Sequence, residues 1–330
     1  MHDSFAHHFA SANGLRMHYV EQGVGPLVLL CHGWPESWYS WRHQIPALAA
    51  AGFRVVAPDQ RGYGFTDAPD DVASYDILHL VADLVGLVHA LGEQRAYLVG
   101  HDWGSIVAAS AGLLRPDMFR ALGLLSVPYL PRRAHSPAFA LSTQAHDRHF
   151  YQGYFQQTGR IERELEEDVR RSLLGLLYTA SGDARLDDRH RKSSFVFFDK
   201  QTRLVDNLAI PDALPSWLTE EDLDVFVGHF KHSGFRGGIN WYRNLERNWQ
   251  QTAFLMGAKI QQPTVFATGT LDGVLKMAAD DVAALETTVP RLTGKHLIAD
   301  AGHWIQQERP QQINTLLVDF LKSCVAAQTS

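Results

Sequence analysis

Gly100-His101-Asp102-Trp103-Gly104 sets an aspartate at the centre of a glycine-bounded turn. The run before it, Ala96-Tyr97-Leu98-Val99, reads as a short buried strand. The run after it, Ser105-Ile106-Val107-Ala108-Ala109-Ser110, is small and apolar enough to open a helix. Strand, tight turn, helix is the setting in which a G-x-S-x-G motif raises a nucleophilic serine. A carboxylate in that place can attack a saturated carbon and hold the product as an ester. Alone, an aspartate in such a turn is more simply a turn or helix-cap residue.

Three further stations change the balance. Thr268-Gly269-Thr270-Leu271-Asp272 sets a carboxylate just beyond a strand, although Asp280, Asp281 and Asp300 are nearby alternatives. Asp300-Ala301-Gly302-His303-Trp304 sets a histidine in a loop after the last strand. Cys31-His32-Gly33-Trp34-Pro35 follows an early apolar strand. There the Trp34 N–H could join that of Trp103 in an oxyanion hole. Nucleophile, acid and histidine in that chain order are expected of an α/β-hydrolase fold, with all three on the carboxyl edge of a sheet.

The elements that must hold these residues are legible as alternating strands and helices. Leu15–Glu21 alternates like a half-exposed strand, and Pro26–Leu30 and Phe53–Ala57 read as further strands. Ile45–Ala51 and Tyr75–Leu91 have helical patterns, each stopped by a glycine. After Ala121–Ser126 the strand pattern gives way to helix-rich, aromatic sequence without clear β runs, including expected helices over Glu162–Leu177 and Glu220–Phe230. Strands resume at Pro263–Thr268 and His296–Ile298, and a helix over Gln311–Cys324 closes the chain. The expectation is a mostly parallel sheet flanked by helices, with a helical cap inserted between strands. Residues 1–127 and 249–330 would form the core and 128–248 the cap.

Composition bounds the function. The 330 residues carry a formal net charge of −6, without the basic footprint that nucleic acid requires. Two cysteines, Cys31 and Cys324, suggest a reduced setting rather than a disulfide framework. No apolar run reaches membrane-spanning length and no signal peptide is visible, so the expected location is cytoplasmic.

The segments His32-Gly33-Trp34-Pro35, Asp59-Gln60-Arg61-Gly62-Tyr63-Gly64, Gly100–Gly104 and Gly302-His303-Trp304 resemble the epoxide hydrolases of the α/β-hydrolase fold. Haloalkane dehalogenases share the aspartate elbow. The insertion discriminates: Phe150–Gln156 and Ser233–Asn244 are similar to the cap segments of soluble epoxide hydrolases, without those proteins' N-terminal phosphatase-like domain. The resemblance implies one tyrosine from each segment above the nucleophile, Tyr151 and Tyr242. Periodicity alone does not separate Tyr151 from Tyr154.

The implied reaction opens an apolar alkyl or aryl epoxide to a vicinal diol. Asp102 would be the nucleophile, the two phenols the acids, and His303 with Asp272 the activator of water. The backbone N–H groups of Trp34 and Trp103 would be the oxyanion donors. The expected pocket includes Trp34, Trp103, Gln152, Val274 and Trp304. No metal or organic cofactor is implied, and the expected partner is a small-molecule epoxide. Oligomeric state is not encoded in any of these motifs. A haloalkane or haloacid dehalogenase with the same Asp-His-Asp triad is the alternative, and a non-catalytic binding protein on this fold is a third reading. The absence of Asn or Gln at position 34 and the two tyrosine motifs weigh against a dehalogenase.

Overall fold

The computed structural model describes residues 5–138, 147–190 and 193–329. Its strands are β1 (Ala6–Ala12), β2 (Leu15–Gln22), β3 (Leu27–Cys31), β4 (Arg54–Pro58), β5 (Ala96–His101), β6 (Phe119–Leu125), β7 (Arg148–Phe150), β8 (Phe197–Asp199), β9 (Thr264–Gly269) and β10 (Leu292–Ile298). Eight join one sheet in the order β1-β2-β4-β3-β5-β6-β9-β10, and β7 and β8 form a separate antiparallel pair. β2 runs antiparallel to β1 and β4, and the other pairings of the large sheet are parallel.

Hydropathy explains the order. Every residue of β3, β5 and β9 is buried, as befits central parallel strands covered on both faces. β1 and β10 are mostly exposed and lie at the two edges. Helix Ile77–Ala90 packs on helix Trp103–Leu114, and helix Gln44–Ala50 on helix Pro310–Thr329. The segment between β6 and β9 is largely helical, as the sequence leads one to expect.

Local chemistry accounts for the departures. The second long helix begins at Ile77, because Asp76 caps it by accepting the His79 N–H at 3.0 Å; Tyr75 belongs to a preceding 3₁₀ turn. The single helix expected over 162–177 is two, Arg160–Glu166 and Val169–Ala180, since Asp168 accepts the Arg171 N–H and starts a new helix. β1, with its polar His7-His8 pair, and the short β7–β8 pair give no apolar run to read. Among the described residues, no helix is long and apolar enough to cross a membrane.

The register brings the carboxyl ends of the central strands together. Cys31 pairs with Gly100, His101 with Leu125, Leu125 with Ala267, and Gly269 with Ile298. Trp34, Asp102, Asp272 and His303 each follow one of these strand ends within five residues. Residues separated by more than two hundred positions therefore meet along one edge.

Candidate active site

Asp102 sits between β5 and helix Trp103–Leu114 with φ 52° and ψ −120°. Positive φ is uncommon for a residue with a side chain and costs on the order of 1–3 kcal/mol. The turn is forced by crowding: a Cβ on Gly104 would run into the Cys31 carbonyl of the neighbouring strand. In that conformation the Asp102 carboxylate accepts no N–H of the helix it precedes, unlike the capping carboxylates of Asp76 and Asp168. Its partners lie elsewhere. The Trp34 N–H donates to Oδ1 at 2.9 Å, and Oδ2 lies 3.4 Å from Nε2 of His303.

The other ring nitrogen of His303, Nδ1, lies 3.1 and 3.2 Å from the two oxygens of Asp272. Asp272 is buried and is itself held by the Val274 N–H at 2.8 Å. Of the rival carboxylates, Asp281 pairs with Arg133 at 2.7 Å. Burial alone would lower the basicity of His303. The charges of Asp272 and Asp102 outweigh it and hold the imidazole well above its ordinary value. Burial likewise favours a neutral Asp272, and the facing histidine reverses that and keeps it ionised.

Two phenols face this pair from the inserted segment. Tyr151 opens the short helix Tyr151–Tyr154 after β7, where its N–H donates to the Val196 carbonyl. Tyr242 lies in helix Arg236–Arg243, whose Arg243 is locked to Glu162 at 2.6 Å. The two rings meet edge to face at 5.7 Å, and Phe155 packs edge to face against both. Burial first, and then the Asp102 charge, push both hydroxyls well above the usual tyrosine range. Both therefore stay protonated and remain hydrogen-bond donors. Tyr154 points elsewhere: its hydroxyl bonds Glu164, and Arg160 covers its ring at 4.0 Å.

A cavity of about 60 Å³ is lined by Asp102, His303, Asp272, Tyr151 and Tyr242, together with Trp34, Val274 and Trp304. Two expected pocket residues lie outside it. The Trp103 indole packs edge to face on Tyr242 and Trp241 and lines a separate, apolar cavity of about 520 Å³. The Gln152 amide donates instead to the Tyr151 hydroxyl at 2.9 Å, one residue back. Phe195 and Arg185, which sequence reasoning did not single out, line the smaller cavity. Among the described residues, no three His, Cys, Asp or Glu side chains cluster as metal ligands do.

A second missed layer lies beneath the site. Glu36 is fully buried and accepts from Gly33 N–H at 2.9 Å and from Gln306 at 3.0 Å, with His101 Nδ1 at 2.6 Å. His101 Nε2 in turn donates to the His303 carbonyl at 2.8 Å, which Ser126 also bonds at 2.7 Å. One carboxylate thus ties the Trp34 loop, the elbow and the histidine loop together. Burial pushes Glu36 up, but His101 and the Gly33 N–H more than offset this and bring it down to about 2. A lowered carboxyl contributes stability above its ordinary value of 4.5 and loses it as pH falls toward about 2. Glu36→Gln should lower the melting temperature at pH 7 and flatten its decline between pH 4.5 and 2. An unchanged acid slope in calorimetry would show that this carboxylate does not govern it.

Comparisons with known proteins give the family and the fold. Residues 26–310 match the alpha/beta hydrolase fold family. Epoxide hydrolase A of Mycobacterium tuberculosis is 43% identical over 94% of this chain and 95% of its own length. The bifunctional epoxide hydrolase 2 of Sus scrofa is 38% identical over 94% of this chain but only 54% of its own. Among solved structures, an epoxide hydrolase from an endophytic Streptomyces superposes with a TM-score of 0.93 at 48% identity, covering 97% of this chain and 96% of the other. The chain belongs to the epoxide hydrolase family of the α/β-hydrolase fold.

Proposed function

We propose that this protein hydrolyses small apolar epoxides to vicinal diols in two steps, through an ester on Asp102. The observation that carries the reading is a pair of phenols, Tyr151 half-buried and Tyr242 buried, that line one cavity with a carboxylate whose far oxygen is held by a backbone N–H. An epoxide has a poor leaving group, an alkoxide, so ring opening needs a nucleophile and acids together. Oδ2 of Asp102 attacks a ring carbon, the C–O bond breaks, and the departing oxygen takes a proton from Tyr151 or Tyr242. A halide would need no such proton.

The histidine acts second. Beside two carboxylates it favours the charged form, but alkylation of Asp102 removes one of those charges. The imidazolium passes its proton to the phenolate left by ring opening, and the neutral imidazole can then act as a base, with Asp272 fixing its orientation through Nδ1. It takes a proton from water, whose oxygen attacks the Asp102 carbonyl carbon. Negative charge then develops on Oδ1, where the Trp34 N–H already points, with the Trp103 N–H as the proposed second donor. Collapse breaks the bond between Cγ of Asp102 and Oδ2, the product alkoxide takes the proton held by His303, the new Asp102 carboxyl returns its proton to the imidazole, and the diol leaves. The helical segment acts as a cap that keeps bulk water from the site.

Single-turnover hydrolysis of styrene oxide in heavy-oxygen water tests the scheme. Mass spectrometry of the peptide containing Asp102 should find one labelled oxygen in its carboxylate. Label confined to the diol would mean direct attack by water and would sink the covalent mechanism. Halide release from chloroalkanes, with no diol from the epoxide, would point to a dehalogenase.

A further inference from the structure

Glu308 is a buried carboxylate that the two-step reaction does not use. Its Oε2 accepts from the Gly302 N–H and the Gly182 N–H, both at 2.9 Å, and its Oε1 accepts from the Trp304 N–H at 3.0 Å. Gly302 and Trp304 are the two neighbours of His303 in the chain. Gly182 belongs to the cap, at the start of the short helix Gly182–Leu186. One side chain therefore grips the histidine loop on both sides of the catalytic ring and pins it to the element above.

The surroundings leave little slack. The His303 N–H donates to the Ala180 carbonyl at 2.9 Å, and the Trp304 indole to the Leu177 carbonyl at 2.6 Å. A Cβ on Gly302 would collide with the Gly182 nitrogen, so the loop and the cap meet backbone to backbone. Among the described residues, no cationic side chain forms an ion pair with Glu308. Arg309 directs its guanidinium to the carbonyls of Glu308 and Asp300 instead. The nearby Asp183 adds negative charge, and burial pushes the Glu308 carboxyl up to about 7 against the pull of its three N–H donors. A buried acid without a cation contributes little net stability for its cost. Its three bonds all converge on the His303 loop and the cap segment that touches it.

We propose that Glu308 is a positioning residue for the water-activating histidine, acting on ester hydrolysis and not on ring opening. The assignment rests on the covalent reading above. It is specific to the second step because, of the reacting groups, this loop carries only His303. Asp102, the Trp34 N–H and both phenols are supplied by other elements. A histidine displaced by a fraction of an ångström still leaves Asp102 free to attack, but it no longer lines up water with the ester carbonyl.

Rapid-quench mass spectrometry of the intact protein with styrene oxide separates the two steps as the rise and the decay of the covalent adduct. In Glu308→Gln, which loses acceptor capacity at equal size, the adduct should form within about twofold of the wild-type rate and decay at least about tenfold more slowly. Glu308→Asp keeps the charge on a shorter arm and should show a smaller slowing of the same step. It reads the effect if the glutamine variant does not fold. Equal slowing of both steps, or normal decay, would overturn the proposal. Failure of the wild type to form any adduct would overturn the covalent reading itself, and this assignment with it.

Discussion

Replacing His303 with glutamine should stop turnover at the ester: the protein gains the mass of one epoxide and keeps it. Glutamine preserves much of the volume beside Asp102, and Trp34, Tyr151 and Tyr242 are untouched, so ring opening proceeds. What is lost is the group within reach of Asp102 Oδ2 that is also braced by a second carboxylate. General-base catalysis of this kind contributes on the order of 10²–10⁴-fold. The steady-state rate should fall at least that far while the first turnover remains visible. The measurement is intact mass after incubation with styrene oxide, followed over hours. A variant that neither accumulates adduct nor turns over would show that His303 is needed before the ester forms.

The second large effect is expected of Tyr151→Phe combined with Tyr242→Phe. The rings stay and their packing on Phe155 and Trp34 is preserved, so the fold should survive. Only two hydroxyls go, and with them every phenolic donor lining the smaller cavity. Each single variant retains one donor and should lose on the order of 10²-fold, whereas the double variant should lose more than the product of the two. The defect should lie in adduct formation, the reverse of the His303 variant. Full activity in the double variant would mean that the acid is some other group. A loss equal in both steps would point to a collapsed cap.

How far the site could be read from sequence follows from what each residue depends on. Asp102 and Asp272 are legible because each follows an apolar run recognisable as a buried parallel strand; His303 follows the exposed edge strand β10, whose apolar run is short, and register converts these positions into proximity. The choice of Tyr151 over Tyr154 was open to periodicity, since both stand on one short helix. Tertiary packing distinguishes them: Tyr151 lines the cavity and meets the Tyr242 ring, whereas Tyr154 is engaged with Glu164. Trp103 lines the larger cavity instead, its indole stacked edge to face on Tyr242 behind the smaller one, because the strained turn aims successive side chains in different directions. The anchors Glu36, His101 and Glu308 were not legible at all. Their partners are backbone groups or side chains brought close by tertiary folding, and no spacing in the chain announces a carboxylate that folds back onto a distant N–H. The break at Asp168 had a local signal, an aspartate that can cap, but helical charge patterning masked it.

The Trp34 N–H bond to one oxygen of Asp102 makes a chemically symmetric group inequivalent. On the covalent scheme, Oδ1 never leaves the protein, whereas Oδ2 departs in each diol and is replaced from water delivered on the His303 side. One atom of the nucleophile is then permanent and the other is a consumable, renewed every cycle. A label placed in the carboxylate by one turnover would leave quantitatively in the next, provided the side chain does not turn over between them. The rate at which that memory fades measures how tightly a single backbone hydrogen bond holds the residue in place.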